Sequence, residues 1–205
     1  MRIRMTPRRR PFLLLLFLWA ITLIAPAGPA QEVGRPVRAA LLRLAAVPDM
    51  ADVEEITPKF AEASSALVAQ LGGHSKDFFG PRKAIDNDWS TCWAEGVPGF
   101  GKGEWIKVIW LTKEVSSFVA ILPGWAKNKV RYGNNPRPRD IELVFSSGFR
   151  QQAALEDRMQ MQFVQIKNDQ AAEWVKIVIQ SVYPGKKFED TSISEIKIFR
   201  TKKKG

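Results

Sequence analysis

Between residues 60 and 200 the chain carries eight short runs of β-formers, at 60–68, 105–111, 117–122, 139–146, 149–155, 159–166, 173–183 and 192–200, each bounded by turn residues. Beyond residue 58 there is almost no sustained apolar period of 3.6, so neither a helical bundle nor a helix-covered parallel sheet fits. Two-residue alternation is clearest at Val175, Ile177 and Ile179, and at Ile193 and Glu195 set against Ile196 and Ile198. Ser146-Ser147-Gly148 joins two of the runs as a hairpin turn. The expectation is an all-β sandwich of about eight antiparallel strands; a barrel and a jelly roll share this spacing, and periodicity does not choose between them. No internal repeat is visible.

Residues 83–110 combine three signals. An acidic turn (Asp86, Asn87, Asp88) is followed by a loop broken at Gly96, Pro98, Gly99, Gly101 and Gly103, and then by the run from Trp105. A single helical turn at 81–85 leads into Asp86. Four of the seven tryptophans, Trp89, Trp93, Trp105 and Trp110, lie here, so the segment reads as both core and candidate site. Trp93, Trp105, Trp110 and Trp174 adjoin strand patterns and are assigned to the core, whereas Trp89 fits either role.

Ahead of this region, residues 1–30 have the form of a signal peptide: basic through Arg10, uncharged from Phe12 to Ile24, then small residues with cleavage expected after Ala27 or Ala30. The apolar run is shorter than the roughly 20 residues a spanning helix needs, and no Cys follows to accept lipid. The expected location is therefore periplasmic or secreted. Residues 31–57 read as a linker or short helix, 58–200 as the domain, and 201–205 as a basic tail.

The formal charge of +10 suggests nucleic acid until it is divided along the chain. Arg2, Arg4, Arg8, Arg9 and Arg10 belong to the leader, and the remainder holds 26 basic against 21 acidic groups, with Arg200, Lys202, Lys203 and Lys204 crowded at the end. The near-neutral body argues against a polyanion-binding protein, and membrane contact is expected only through the leader or the tail. Cys92 is the sole cysteine, so packing must supply the stability. His74, the sole histidine, lies in a glycine-rich loop with no serine motif near it. The spacing of Asp86, Asp88, Glu95 and Glu104 does not mark a glycosidase pair. Neither a nucleotide fingerprint nor a zinc cluster is present, and no enzyme is expected.

Ala63-Ser64-Ser65, Lys83-Ala84-Ile85-Asp86-Asn87-Asp88, Ser90-Thr91-Cys92-Trp93 and Glu104-Trp105-Ile106, in that order, resemble the opening of discoidin-like domains, also called galactose-binding-like or coagulation factor C-type domains. Residues 135–141, Phe145-Ser146-Ser147-Gly148, 175–179, 181–185 and 190–196 resemble the branch known as the NADase-type glycan-binding domain. The resemblance runs from about residue 61 to residue 199. It implies an eight-stranded jelly roll that binds carbohydrate through loops at one end and performs no chemistry. The chain departs from the family at Asp86-Asn87, where many relatives have Asp-Gly, and at Trp125, where Tyr is expected.

Sugars present C–H faces to aromatic rings and hydroxyls to planar donors and acceptors. The stretch 124–139 holds both kinds of partner, and the expected ligand-binding residues are Trp125, Lys127, Asn128, Tyr132, Asn134, Asn135 and Arg137, with Arg131 among the polar groups. A glycan is the expected partner. Another envelope protein fits the same loops, and the cations at Lys129, Arg131, Arg137 and Arg139 also suit an anionic lipid headgroup. The resemblance further implies a structural calcium held by Asp86, Asp88, Thr91 and Glu195 with the Lys83 carbonyl; the alternative is that Asp86 caps a turn and Glu195 pairs with a cation.

Overall fold

The computed structural model describes residues 46–68 and 77–202, all within one unit, Arg38–Gly205. The signal-peptide reading, the linker reading as far as residue 45, His74 and the tail from residue 203 lie outside the described residues.

Ten strands form two antiparallel sheets. One sheet is built from β1 (Val53–Ile56), β3 (Trp93–Ala94), β5 (Phe118–Pro123), β8 (Gln162–Gln165) and β10 (Ser192–Thr201), in the order β1-β10-β5-β8 with β3 added beside β10. The other runs β2-β4-β9-β6-β7, from β2 (Phe60–Ala63), β4 (Trp105–Glu114), β6 (Arg137–Phe145), β7 (Arg150–Ala154) and β9 (Ala172–Tyr183). A 3-10 turn at Pro81–Ala84 and one short helix, α1 (Lys129–Asn134), complete the described elements.

Alternation builds the core. On β9, Val175, Ile177 and Ile179 point inward and are fully buried, as are Ile141 and Leu143 on β6, Ile106 and Val108 on β4, and Ile196 and Ile198 on β10. Trp93 and Trp110 belong to this core, and each buried indole N–H is satisfied: Trp93 Nε1 donates to the Ser65 carbonyl at 2.9 Å and Trp110 Nε1 to that of Ala172 at 2.8 Å. Trp105 and Trp174 do not belong to it. They occupy the outward positions of β4 and β9 and are half-buried, which corrects the assignment of all four to the core.

Three other expectations are adjusted. The sheet begins before residue 58, because β1 pairs with the end of β10 from Val53↔Thr201 to Ile56↔Ile198. The run at 60–68 keeps ladder geometry only through Ala63; beyond it the Ser64 and Ser65 hydroxyls both donate to the Glu104 carboxylate, at 2.6 and 2.5 Å, and the chain leaves the sheet. The stretch 124–139 contains α1, started by Asn128, whose side chain accepts from the Arg131 N–H at 2.9 Å. One and a half turns with a glycine inside are too short to show helical periodicity.

The connections sort by end. Those at 57–59, 115–117, 146–149 and 166–171 are short and lie at one end, while 64–92, 95–104, 124–136, 155–161 and 184–191 are longer and gather at the other. Irregular backbone near a rigid sandwich is where binding groups concentrate, so the site is to be sought at the second end. As a check on the core, Ile177→Ala should lose about 2–5 kcal/mol in denaturant unfolding, whereas Val130→Ala on exposed α1 should stay within about 0.5 kcal/mol. Equal losses would mean that the packing described is wrong.

Candidate functional site

The loop at 85–92 is closed by its own side chains. Asp86 Oδ1 accepts from the Asp88 N–H at 3.0 Å and Asp88 Oδ1 from the Ser90 N–H at 2.9 Å. Asn87 takes a left-handed conformation, φ 61°, which a glycine adopts freely and asparagine tolerates among side-chain-bearing residues, so the departure from Asp-Gly keeps the same turn. These constraints present Trp89 to solvent, 52% exposed, between the two anchored residues.

The loop from Gly124 packs beside it. Trp125 Nε1 donates to the Ser90 carbonyl at 2.8 Å, the Phe79 ring meets the indole edge-on at 5.4 Å, and the Arg131 guanidinium lies over its face at 4.7 Å. Lys127 is exposed and close enough to Asp88 to help hold that carboxyl below its usual range, after the larger effect of the hydrogen bonds from Ser90. The turn carrying Asp88 and Trp89 is thus tied to the loop carrying Trp125, Lys127 and Arg131.

The expectation of Trp125 and Tyr132 as open stacking platforms is overturned, since each is 8% exposed. Trp125 is packed beneath Arg131, and Tyr132 is part of an internal brace. Its ring lies 5.0 Å from the Arg137 guanidinium, which is 5.8 Å from the Tyr183 ring, and its hydroxyl donates to Asp157 at 3.3 Å. Arg137 is paired with Asp157 through Nε and Nη2 and also donates to the Pro184 carbonyl at 3.3 Å. Asn135, also buried, donates through Nδ2 to the Arg131 carbonyl at 2.7 Å. Tyr132, Asn135 and Arg137 thus shape the loop from within and do not face a ligand. Asn128 caps α1, and the Asn134 backbone carbonyl accepts from the Lys187 and Phe188 amides; Lys127 and Arg131 are the expected cations that remain exposed.

Gly124, at φ 76°, has no room for a side chain: an added Cβ would lie 2.9 Å from the Tyr132 ring. A second brace is Glu95, fully buried, which accepts from the Thr191 and Val97 amides at 2.9 Å each and ties 95–104 to 184–191. Burial pushes its carboxyl up while those two N–H groups pull it down. Asp157 and Glu95 were not identifiable in the sequence, since each sits in a loop without a motif. Trp89 was read as open between two roles, its turn having no strand alternation to weigh against exposure.

Beneath the Trp89 loop, oxygen atoms converge. The Thr91 hydroxyl lies 3.2 Å from the Lys83 carbonyl, 3.0 and 2.9 Å from the two Asp86 oxygens and 3.0 Å from the Asp88 carbonyl. One hydroxyl proton satisfies one of these contacts, which leaves lone pairs facing lone pairs. Glu195 points to the same loop from β10, 1% exposed, and its Oε2 has no hydrogen-bond partner among the described residues. Burial, with the Asp86 charge nearby, pushes the Glu195 carboxyl up to about 7 against the pull of Lys197. All donors are hard oxygens and only two are carboxylates; among the described residues no group of three or more His, Cys, Asp or Glu assembles. Asp88 contributes its carbonyl, since its carboxylate is turned to Ser90.

A hollow of about 840 Å³ lies at the opposite end, lined in part by Glu54, Glu114 and Arg200, but Arg200 is already paired with both acids. The sequence matches the family model described as NAD glycohydrolase translocation F5/8 type C domain over residues 54–199. Among solved structures, the chain is similar to the family 32 CBM from C. perfringens NanJ in complex with galactose, at TM-score 0.53 and 20% identity, covering 72% of this chain and 99% of that one. It is also similar to the lectin-binding domain of Lectinolysin complexed with Lewis b, at TM-score 0.50 and 19% identity, covering 73% and 97%. A third similarity is to arabinofuranosyltransferase AftD from mycobacteria, at TM-score 0.53 and 15% identity, covering 72% of this chain and 12% of that one. No curated protein matches the sequence. At these identities the likeness shows the fold, a discoidin-like sandwich.

The Arg137 hydrogen bonds hold the Asp157 carboxyl below its usual range, so this pair stabilises the fold above about pH 4 and is lost as the pH falls further. Asp157→Asn should cost about 1–2 kcal/mol at pH 7, less than a fully buried pair because Asp157 is partly in water, and should flatten the acid limb of the stability curve. An unchanged acid limb in urea titrations would remove this brace from the account.

Proposed function

Because this chain belongs to the NAD glycohydrolase translocation F5/8 type C domain family, we propose that it is an exported, non-catalytic carbohydrate-binding module that grips glycan at the end carrying the long loops. The observation that carries this reading is the exposed Trp89 indole on a turn whose Ser90 carbonyl holds Trp125, itself under Arg131, and whose Asp88 lies close to Lys127. An indole face accepts the C–H side of a pyranose, while one carboxylate and two cations meet its hydroxyls from the side. The similarity to galactose-bound and Lewis b-bound domains supports sugar as the ligand class.

Calcium is the second part of the proposal. Asp86, Glu195, the Lys83 and Asp88 carbonyls and Thr91 Oγ1 suit a hard cation, which would relieve the crowded oxygens and the orphaned Glu195 Oε2. Its role is structural: these residues then fix the turn that presents Trp89.

Two experiments test the reading. On a glycan array, Trp89→Ala and Arg131→Ala should each lower apparent affinity about tenfold or more, while Tyr132→Phe, a change inside the brace, should leave it within about twofold. Undiminished binding by a folded Trp89→Ala variant would exclude this site. For the cation, the sign follows from Glu195: with its carboxyl raised, apo protein is favoured at low pH and loses stability as the pH rises from about 4.5 toward 7. The melting temperature in chelator should therefore fall from pH 5 to pH 8, and calcium should restore several degrees at pH 8 but little at pH 5. No calcium response at pH 8 would refute the metal proposal.

A further inference from the structure

The outward face of the larger-stranded pair β4 and β9 repeats a three-residue pattern, Trp105-Ile106-Lys107 on one strand and Trp174-Val175-Lys176 on the other. The antiparallel register places Lys107 directly opposite Lys176, so the two copies are related by a local two-fold passing between the lysines. Like charges in directly opposed positions destabilise a sheet. The strain is relieved by divergence: the Lys176 ammonium turns over the Trp105 ring at 4.7 Å, and that of Lys107 over Trp174 at 5.6 Å. Lys107 also meets Glu62, an exposed partner in a pair of the kind that contributes little, while Lys176 has no carboxylate partner among the described residues.

Both indoles are half-buried, and neither N–H has a protein acceptor among the described residues, unlike those of Trp93, Trp110 and Trp125. Beside them Phe60, 49% exposed, faces Ile109 across β2 and β4. The indoles stand about 13 Å apart along the strands, with the lysine pair midway. The geometry points to a second binding surface, separate from the loop end, for an acidic polysaccharide laid along the sheet. In the free protein each ammonium covers one indole; a carboxylate at the midpoint, where the two lysine backbones face each other, draws both ammonium groups back and bares an indole on either side for a sugar ring. A second copy of the chain fits poorly, since face-to-face pairing brings four ammonium groups together at the symmetry axis.

The test is native affinity electrophoresis of the full chain in gels containing polygalacturonate, with neutral dextran as control and a second series at raised salt. The wild type should be retarded by polygalacturonate alone. Trp105→Ala and Trp174→Ala should each weaken retardation about tenfold, and Lys176→Gln, which keeps both indoles, should weaken it several-fold and flatten its salt dependence. Trp89→Ala should be retarded like the wild type, which separates this surface from the loop site. The inference is overturned by an absence of retardation, by equal retardation in dextran, by retardation lost in Trp89→Ala but kept in a folded Lys176→Gln variant, or by a dimer in sedimentation that Trp174→Ala dissolves.

Discussion

The strict alternation along β9 is the constraint on which the other features depend. Val175, Ile177 and Ile179 are sealed between the sheets, and their register against β4 on one side and β6 on the other leaves those neighbours no freedom to slip, because a shift of one residue would turn every buried side chain outward. With that register set, the ends of β4 and β6 deliver the 95–104 and 124–136 loops to the same rim as the connection leaving β9. The same register also aligns Lys107 with Lys176, so the outer face of the sheet is set by its inner packing.

At the rim, buried polar groups do the work that disulfides do in many exported domains. Glu95 receives two backbone amides from two different loops, and Arg137 joins α1, the 155–161 connection and the Pro184 carbonyl through Asp157 and two tyrosine rings. Each is costly to leave unpaired, which makes the loops specific in shape as well as stable. The oxygen cluster around Thr91 is the exception, since within the protein its contacts remain unbalanced. The proposed hard cation, if bound there, would couple the order of the Trp89 turn to the burial of Glu195.

Much of the framework was legible in the sequence. The eight runs correspond to eight of the ten strands, with ends displaced by a few residues, because period-two burial leaves a direct trace in apolar spacing. β1, β3 and α1 left little trace, being four, two and six residues long. The site was harder to read. Aromatics on the 124–136 loop looked like platforms because composition records that Trp125 and Tyr132 are present, not which way they face. Their burial depends on Phe79, Arg131, Asp157 and Arg137, partners scattered over the chain. The calcium expectation came from family resemblance alone, and the place of Glu195 beside that turn rests on a strand register that brings residue 195 to a loop a hundred residues earlier.

The most direct measurement of the central claim is a two-dimensional ¹H–¹⁵N spectrum of the calcium-treated protein, titrated with an oligosaccharide selected from the array. Ligand at the rim should move the Trp89 indole resonance and the amides of residues 86–90 and 127–131, leaving the Trp93 and Trp110 indoles in place. Shifts confined to the opposite end around Glu54 and Arg200, or a Trp89 indole unmoved at saturation, would contradict it.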